Sequence, residues 1–435
     1  MEDEFSSLKK NHTWTLTELP AGKNVVGCKW IYKIKYKPDG SGDRYKAKLV
    51  AKGYSHVYGV DFSETFFLVV KMTSIRVLMA LAAQYNLELH QMDVKTAILN
   101  GRLHEEVYMV ILEGLKVSFE KNKIKEKLKT EFKMVDLEDI HHCLGMQVDR
   151  NREEGWIRIS QPRYLVEKLA RFNMADCKPI DTPMEPGLKL STLDSPNSVG
   201  ESEEVKNIPY QAAVGSLTWA MVTRSDISFA VSSVAQFMSN LGLTHWKLVK
   251  RIFRYLRGIL DFGLVFTRVD KPSGLTGYSD ADWGGCLDTR LSTSGYCFQL
   301  NGGTISWISK KQKSVTLSSI EAEYMALSKA RAETMWLREL LTDLGFELES
   351  TTIFCDNQSA ISQIENHKYH KRSKHIDIRY HFVRDLVTNN LVKLVYVPTE
   401  EMIADVMTKP LAREKQWYHS QNLGLLVGNE EERSK

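Results

Sequence analysis

The chain has 435 residues, room for roughly two to four domains of ordinary size. Its hydrophobic content of 43% and charged content of 26% are those of a globular protein with a core to bury, which excludes a wholly disordered chain. A net charge of +4 fits a nucleic-acid partner and fits an ordinary charge balance equally, so function has to be read from local pattern.

The acidic start, Met1-Glu2-Asp3-Glu4-Phe5, lacks the apolar stretch of a signal peptide, and no later apolar run is long enough to span a bilayer. An intracellular protein, cytoplasmic or nuclear and not secreted, is expected, with no membrane partner. Six cysteines, at 28, 143, 177, 286, 297 and 355, form no Cys-x-x-Cys pair. Reduced thiols are therefore expected, rather than a disulfide framework or a zinc site.

Val25, Val26, Trp30, Ile31 and Tyr32 form a β-rich run, and Lys37-Pro38-Asp39-Gly40 marks a turn after it. The next run, Tyr45 to Gly53, alternates basic and apolar residues, which gives one cationic face and one buried face. That face suits phosphate contact, and equally suits a solvated edge strand carrying lysines. Met72, Ile75, Leu78, Met79 and Ala82 recur at helical spacing and predict a helix over 72–86. Asp93 lies in Leu89–Gly101, read as an apolar strand just before a helix or turn, a place for a metal ligand and also for a cap or turn residue.

The segments Tyr45–Gly53, Gly59–Thr65 and Gln91–Gly101 resemble the fingers and first palm segment of reverse transcriptases of Ty1/copia-type retrotransposons. The resemblance starts inside what would be the family's Pol polyprotein. It implies that Asp93 is the first metal-binding aspartate of the polymerase and that Lys46 or Lys48 faces the incoming triphosphate. It also implies an RNA template and DNA as partners. The departure comes after Val107–Gly114. The family continues into a palm carrying a Tyr-x-Asp-Asp hairpin, whereas this chain passes at once to Phe119–Leu128, which is thumb-like, and has no Asp-Asp dipeptide anywhere. Phe66-Phe67-Leu68-Val69 stands where the family favours Phe-Ala-Pro-Val. One carboxylate cannot run two-metal phosphoryl transfer, so the polymerase is expected to be inactive.

Ile124, Leu128 and Phe132 predict a helix, Trp156–Ser160 a strand and Pro162–Phe172 a helix. Periodicity vanishes over Pro183–Asn207, which reads as a linker. Residues 209–267 read as helical and resemble the family's connection segment, with Ser225 where a proline is usual. Within it, Lys247, Lys250, Arg251, Arg254 and Arg257 share one broad helix face. Lys250 and Arg254 suit a nucleic-acid backbone, and such a face is equally an ordinary solvated one.

The last third supplies carboxylates at the edges of regular elements: Asp280 in Gly277–Trp283, Glu321 and Glu323 after Ser318, Asp356 after Phe354-Cys355, and Asp405 in Ala404–Lys409. Four that converge would make a cage for two hard divalent cations. Gly295–Leu300 and Thr304–Ser309 read as a hairpin, Ser314–Leu317 as a short strand, and Ser319–Leu344 as a helix with a capping box and a stop at Gly345. A strand over Thr352–Cys355, a helix, a strand over Leu391–Val397 and a short helix over Glu400–Thr408 follow. This order resembles the ribonuclease H domain of copia-type elements. The resemblance implies Asp280, Glu323, Asp356 and Asp405 as the metal-binding carboxylates. Mg²⁺ is the implied cofactor, as two ions with Mn²⁺ as a substitute, and an RNA–DNA hybrid the implied substrate. Glu323 is preferred to Glu321, which has a cap to make, and Asp282 is at most auxiliary. In His367–His381 the resemblance implies hybrid contact, through Lys371, Arg372 and Lys374, with His375 as the histidine assisting catalysis.

The expected fold class is thus a multidomain α/β and α+β chain with a mixed five-stranded ribonuclease H-like sheet. The expected divisions are 1–115 (fingers and partial palm), 116–182 (thumb-like), 183–207 (linker), 208–269 (helical connection), 270–415 (ribonuclease H) and 416–435 (tail). The oligomeric state is not legible.

Overall fold

The computed structural model describes residues 8, 25–26, 28–36, 42–51, 70–94, 108–109, 134–272, 274–365 and 387–427. They divide into two compact units, one drawn from residues 1–69 and 90–140 and the other from 70–89 and 141–435.

In the first unit, strands Cys28–Tyr36 and Gly42–Ala51 pair antiparallel. The turn expected at Lys37-Pro38-Asp39-Gly40 lies outside the described residues. Val25–Val26 pairs parallel with Tyr108–Met109, and His90–Val94 pairs antiparallel with Met134–Asp139. The helix expected around Ile124–Phe132 lies outside the described residues.

The second unit starts with helix α1 (Met72–Tyr85), in the place its apolar spacing predicts. Short β1 (His142–Cys143), β2 (Met146–Asn151) and β3 (Trp156–Ser160) follow, then α2 (Pro162–Arg171), with its proline at the first position. Helices α3 (Tyr210–Ala220), α4 (Ser228–Ala235) and α5 (Leu243–Gly258) pack with α2 around Leu169, Leu217, Val231, Ile252 and Phe253, all buried. The Pro/Ser/Gly-rich stretch 183–207 is packed too, with Met184 and Leu190 in the same core. Residues 263–267, expected as helix, form strand β4 (Gly263–Thr267) instead. Its β-branched and aromatic run finds a partner in β3, and that tertiary pairing outweighs a weak local preference.

The next sheet contains β5 (Leu275–Asp282), β6 (Thr293–Leu300) and β7 (Gly303–Lys311). Asn301 and Gly302, both at positive φ, make the tight turn between β6 and β7. Residues 314–317, expected as a strand, form an irregular connection with no ladder partner. Helix α6 (Ser319–Asp343) begins where Ser318 Oγ accepts from the Glu321 amide at 3.2 Å. It ends at Gly345, whose φ of 85° lets the Phe346 amide reach back to the Leu341 carbonyl. Then come β8 (Thr351–Cys355), α7 (Gln358–Glu365), β9 (Val392–Tyr396), a 3₁₀ turn at Ile403–Met407, α8 (Arg413–Asn422) and β10 (Leu425–Leu426).

These strands make two five-stranded sheets. One runs β10-β4-β3-β2-β1, antiparallel throughout. The other runs β7-β6-β5-β8-β9, antiparallel across β7-β6-β5 and parallel across β5-β8-β9. The second is the expected mixed sheet, and the fold is mixed α/β. Among the described residues no helix is long and apolar enough to cross a membrane.

Candidate metal centre

The mixed sheet decides where the carboxylates go. β5 is its central strand, and its parallel neighbour β8 opens its carboxyl end on the same edge. Asp280 lies near the carboxyl end of β5, and Asp356 follows directly after β8. That edge is where open α/β sheets place their ligands. Glu323 sits in the second turn of α6, which crosses β5, and Asp405 sits on the 3₁₀ turn Ile403–Met407. Gly295 pairs with Asp280 across β5 and β6. A Cβ there would lie 2.7 Å from both Met407 Cβ and Thr408 Cγ2, so its absence lets the Asp405 turn close over the sheet.

One carboxylate oxygen each from Asp280, Asp356 and Asp405 lies within 4.8 Å of the other two. Glu323 Oε1 accepts from the Ala281 amide at 3.2 Å, which ties it to the residue beside Asp280. Its second oxygen, Oε2, is buried with no hydrogen-bond partner. Thr399 Oγ1 donates to Asp356 Oδ2 at 2.7 Å, and the Thr408 hydroxyl donates to Asp280 Oδ2. Lys409 Nζ stands 2.7 Å from Asp405 Oδ1 and 3.9 Å from Asp280 Oδ2.

Asp280, Glu323 and Asp405 are almost wholly buried, and burial penalises the charged form of each. Burial therefore raises Asp280, against the pull of Lys409 and the Thr408 hydroxyl. Burial, with the charges of Asp280 and Asp356 adding to it, holds Glu323 well above the ordinary carboxyl range. Asp405 is pushed up to about 7, by burial first and by Asp280 second. Burial works against Lys409 as well, but the surrounding carboxylates outweigh it and keep the ammonium charged. Such a cluster is short of positive charge. Divalent cations fit it: the donors are hard oxygens, and Glu323 Oε2 has nothing else to bind. Asp280, Glu323, Asp356 and Asp405 are the residues that would hold them.

Glu321 lies outside the carboxylate cluster, and its carboxylate accepts from the Leu317 amide at 2.6 Å, one residue before the Ser318 amide that the expected capping box would use. Asp282 turns toward Gly285, where an added Cβ would meet its Oδ2 at 1.5 Å. Asp93 lies in the His90–Val94 strand of the first unit, opposite Val135. Lys46 and Lys48 lie in Gly42–Ala51, with Lys48 exposed. Lys371, Arg372, Lys374 and His375 lie outside the described residues. Lys250 is half-buried on α5. Arg254 Nε donates to the Lys178 carbonyl at 2.8 Å, and its neighbour Arg251 to Glu185 at 2.6 Å. Much of that basic face thus holds the preceding segment in place. Lys409 is the residue the sequence reading passes over. The signal was its spacing, four residues after Asp405, at which opposite charges on a turn meet.

A family model described as reverse transcriptase (RNA-dependent DNA polymerase) matches residues 11–125 and 118–186. The chain is 39% identical over 488 residues to the retrovirus-related Pol polyprotein from transposon TNT 1-94 of Nicotiana tabacum, a match covering 95% of this chain and 37% of that protein. It is 34% identical over 487 residues to the corresponding polyprotein from transposon RE1 of Arabidopsis thaliana, covering 95% of this chain and 32% of that one. Among solved structures, LC11-RNase H1 in complex with RNA/DNA hybrid aligns at 14% identity and a TM-score of 0.25, over 31% of this chain and 93% of that one. The chain spans about a third of the length of each of these two polyproteins. With nearly its whole length aligned to those polyproteins and its first part to the reverse-transcriptase model, the chain belongs to the copia-type retrotransposon Pol polyprotein family.

Proposed function

We propose that this chain is a Mg²⁺-dependent endonuclease that cuts the RNA strand of RNA–DNA hybrids, joined to a polymerase half that no longer extends a primer. The observation that carries the reading is the convergence of Asp280, Asp356 and Asp405 within 4.8 Å, with Glu323 hydrogen-bonded alongside. Four separate elements supply these side chains, and burying so many acids together is destabilising unless cations join them. Held by Asp280, Glu323, Asp356 and Asp405, two divalent ions would supply stabilisation of charge on the phosphate and on the leaving oxygen. The chain's own part is to hold the scissile phosphate at this edge and to keep the carboxylates fixed, through Thr399 on Asp356 and Thr408 on Asp280. A water oxygen bonds to phosphorus as the P–O3′ bond breaks, and the leaving oxygen takes up a proton to give a 3′-hydroxyl. Contacts to the 2′-hydroxyl would select RNA. Lys250, Arg254, Lys371, Arg372 and Lys374 are the proposed backbone contacts, and His375 the proposed proton carrier.

Two observations support loss of the polymerase. The alignment to the TNT 1-94 relative runs over 488 residues, more than the 435 this chain has, so at least 53 positions there have no counterpart here. The family-model match also breaks in two at residues 118–125, where the Tyr-x-Asp-Asp segment should precede the thumb. Asp93, with Lys46 and Lys48, would then be a remnant of that site.

Lys409 favours a second reading, a catalytically inert relic or a nucleic-acid-binding protein. Its ammonium already partly neutralises the cage without any metal. Cleavage of a labelled hybrid by the whole chain in Mg²⁺, beside Asp356→Asn, separates the two. The first reading expects cutting that the substitution lowers by about 10³-fold, the scale of losing a group that stabilises transition-state charge. Binding without cutting by either protein would favour the second. Primer extension by the whole chain would overturn the loss of polymerase activity.

A further inference from the structure

The strand that delivers Asp356 delivers a thiol with it. Cys355 is the last residue of β8, fully buried, and not in a disulfide. Neighbouring residues within a strand point to opposite faces, but Asp356 lies just past the strand end, where that alternation no longer holds. Cys355 Sγ, a Glu323 oxygen and an Asp356 oxygen consequently lie within 4.8 Å of one another. Glu323 is 95% buried, its Oε1 is taken by the Ala281 amide, and its Oε2 has no hydrogen-bond partner. This is a different donor set from the all-oxygen one of Asp280, Asp356 and Asp405.

We infer that Cys355, Glu323 and Asp356 form a site for a thiophilic divalent ion such as Zn²⁺ or Cd²⁺, which shares two ligands with the Mg²⁺ cage and so excludes Mg²⁺ from it. Magnesium takes oxygen donors, whereas a thiolate selects softer ions. With Zn–S near 2.3 Å and Zn–O about 2.0–2.2 Å, a tetrahedral ion holds its donors about 3.3–3.7 Å apart. Small side-chain rotations therefore bring this trio into range. Three protein ligands leave a fourth position open. Binding replaces the S–H bond with a metal–sulfur bond and releases that proton to the buffer. The exclusion of Mg²⁺ rests on the reading given under Proposed function, while the binding of the soft ion stands apart from it.

Cd²⁺ is titrated into the metal-free whole chain while the ultraviolet sulfur-to-cadmium charge-transfer band is followed. The same titration is made on Cys355→Ser and Cys355→Ala, each checked for folding by circular dichroism, and on Cys297→Ser as a thiol control. A saturable band that Cys297→Ser keeps and both Cys355 variants lose supports the site. A band that survives in a folded Cys355 variant, or no band in the unmodified chain, overturns it. Mn²⁺, followed by its electron paramagnetic resonance signal, reports the all-oxygen cage directly. Equimolar Cd²⁺ should displace it from the unmodified chain, and displacement from a Cys355 variant should need at least about tenfold more. Displacement that does not depend on Cys355 overturns the overlap. A Cys355-dependent band in a protein that cuts no hybrid would overturn only the nuclease reading. Hybrid cutting in Mg²⁺ without that band would overturn only this one.

Discussion

At Asp405 burial, more than the ion pair with Lys409, sets the charge of the carboxylate cluster. The Asp405 carboxyl rises from 3.8 to about 7 on folding, so the folded metal-free chain holds a proton that the unfolded chain releases. The stabilisation from that proton is complete below about 3.8 and is lost as the pH rises through about 7. Thermal melts in EDTA should therefore show the unmodified chain losing stability relative to Asp405→Asn across that window, by on the order of 1–3 kcal/mol. Mg²⁺ affinity should rise over the same window, because protons compete with the ion for the carboxylate. Lys409→Met should lower metal-free stability by about 1–3 kcal/mol, since the carboxylates lose an ammonium that stands 2.7 Å from Asp405. The same substitution should tighten Mg²⁺ binding by calorimetry. Weaker binding would mean that Lys409 shapes the cage rather than competing for it.

At the scale of elements, the site depends on how closely the Asp405 turn approaches β6. Gly295→Ala places a methyl 2.7 Å from Met407 Cβ, which its backbone fixes, and from Thr408 Cγ2, which turns only by taking the hydroxyl off Asp280. The turn must move, which should cost about 1–3 kcal/mol in urea unfolding and weaken Mg²⁺ binding in the same variant. Unchanged metal affinity would show that the turn yields without displacing Asp405. Helix α5 teaches a second point about elements. Its charge spacing marks a basic face in the sequence, but spacing does not say what covers a face. In the structure Arg251, Arg254 and Arg257 reach Glu185, Lys178 and Ala175 and hold the stretch 175–185 that follows α2. Over Pro183–Asn207 only one short α-helix forms, Val199–Val205, and side-chain contacts hold much of the rest. Ser191 and Thr192, for example, both donate to Asp288.

For the whole molecule, the notable placement is that of α1, which is built into the unit that carries the carboxylate cluster rather than the other one. Arg76 on α1 is buried and donates to the carbonyls of Ile305 at 3.0 Å and Val222 at 2.7 Å, with its guanidinium 3.8 Å over the Trp307 ring. Gln84 makes a paired contact with the Val269 backbone, and Tyr85 stacks on Phe346 at 5.3 Å. Arg76→Met would leave two buried carbonyls without their donor and should destabilise this unit by about 2–4 kcal/mol in urea unfolding. A change within 0.5 kcal/mol would mean that water replaces the guanidinium at little cost. Domain limits drawn at 270–415 miss this helix, because a boundary is read from local composition whereas α1 joins across a long loop of chain.

The sequence by itself determined the local chemistry. The Asn301-Gly302 hairpin turn, the Ser318 cap, the Gly345 stop and the carboxylate positions all depend on neighbours a few residues away. It also showed the missing Asp-Asp dipeptide, since that is a matter of composition. Only the tertiary structure decided what meets across distance. Residues 263–267 became a strand because β3 was there to pair with, and 314–317 did not because no ladder reached them. Lys409 entered the cluster through the folding back of the last 3₁₀ turn, and Cys355 came beside Glu323 because α6 crosses the sheet at that point. Short-range sterics and hydrogen bonding are written in adjacent residues. The balance of buried charge is settled only when separate elements come together.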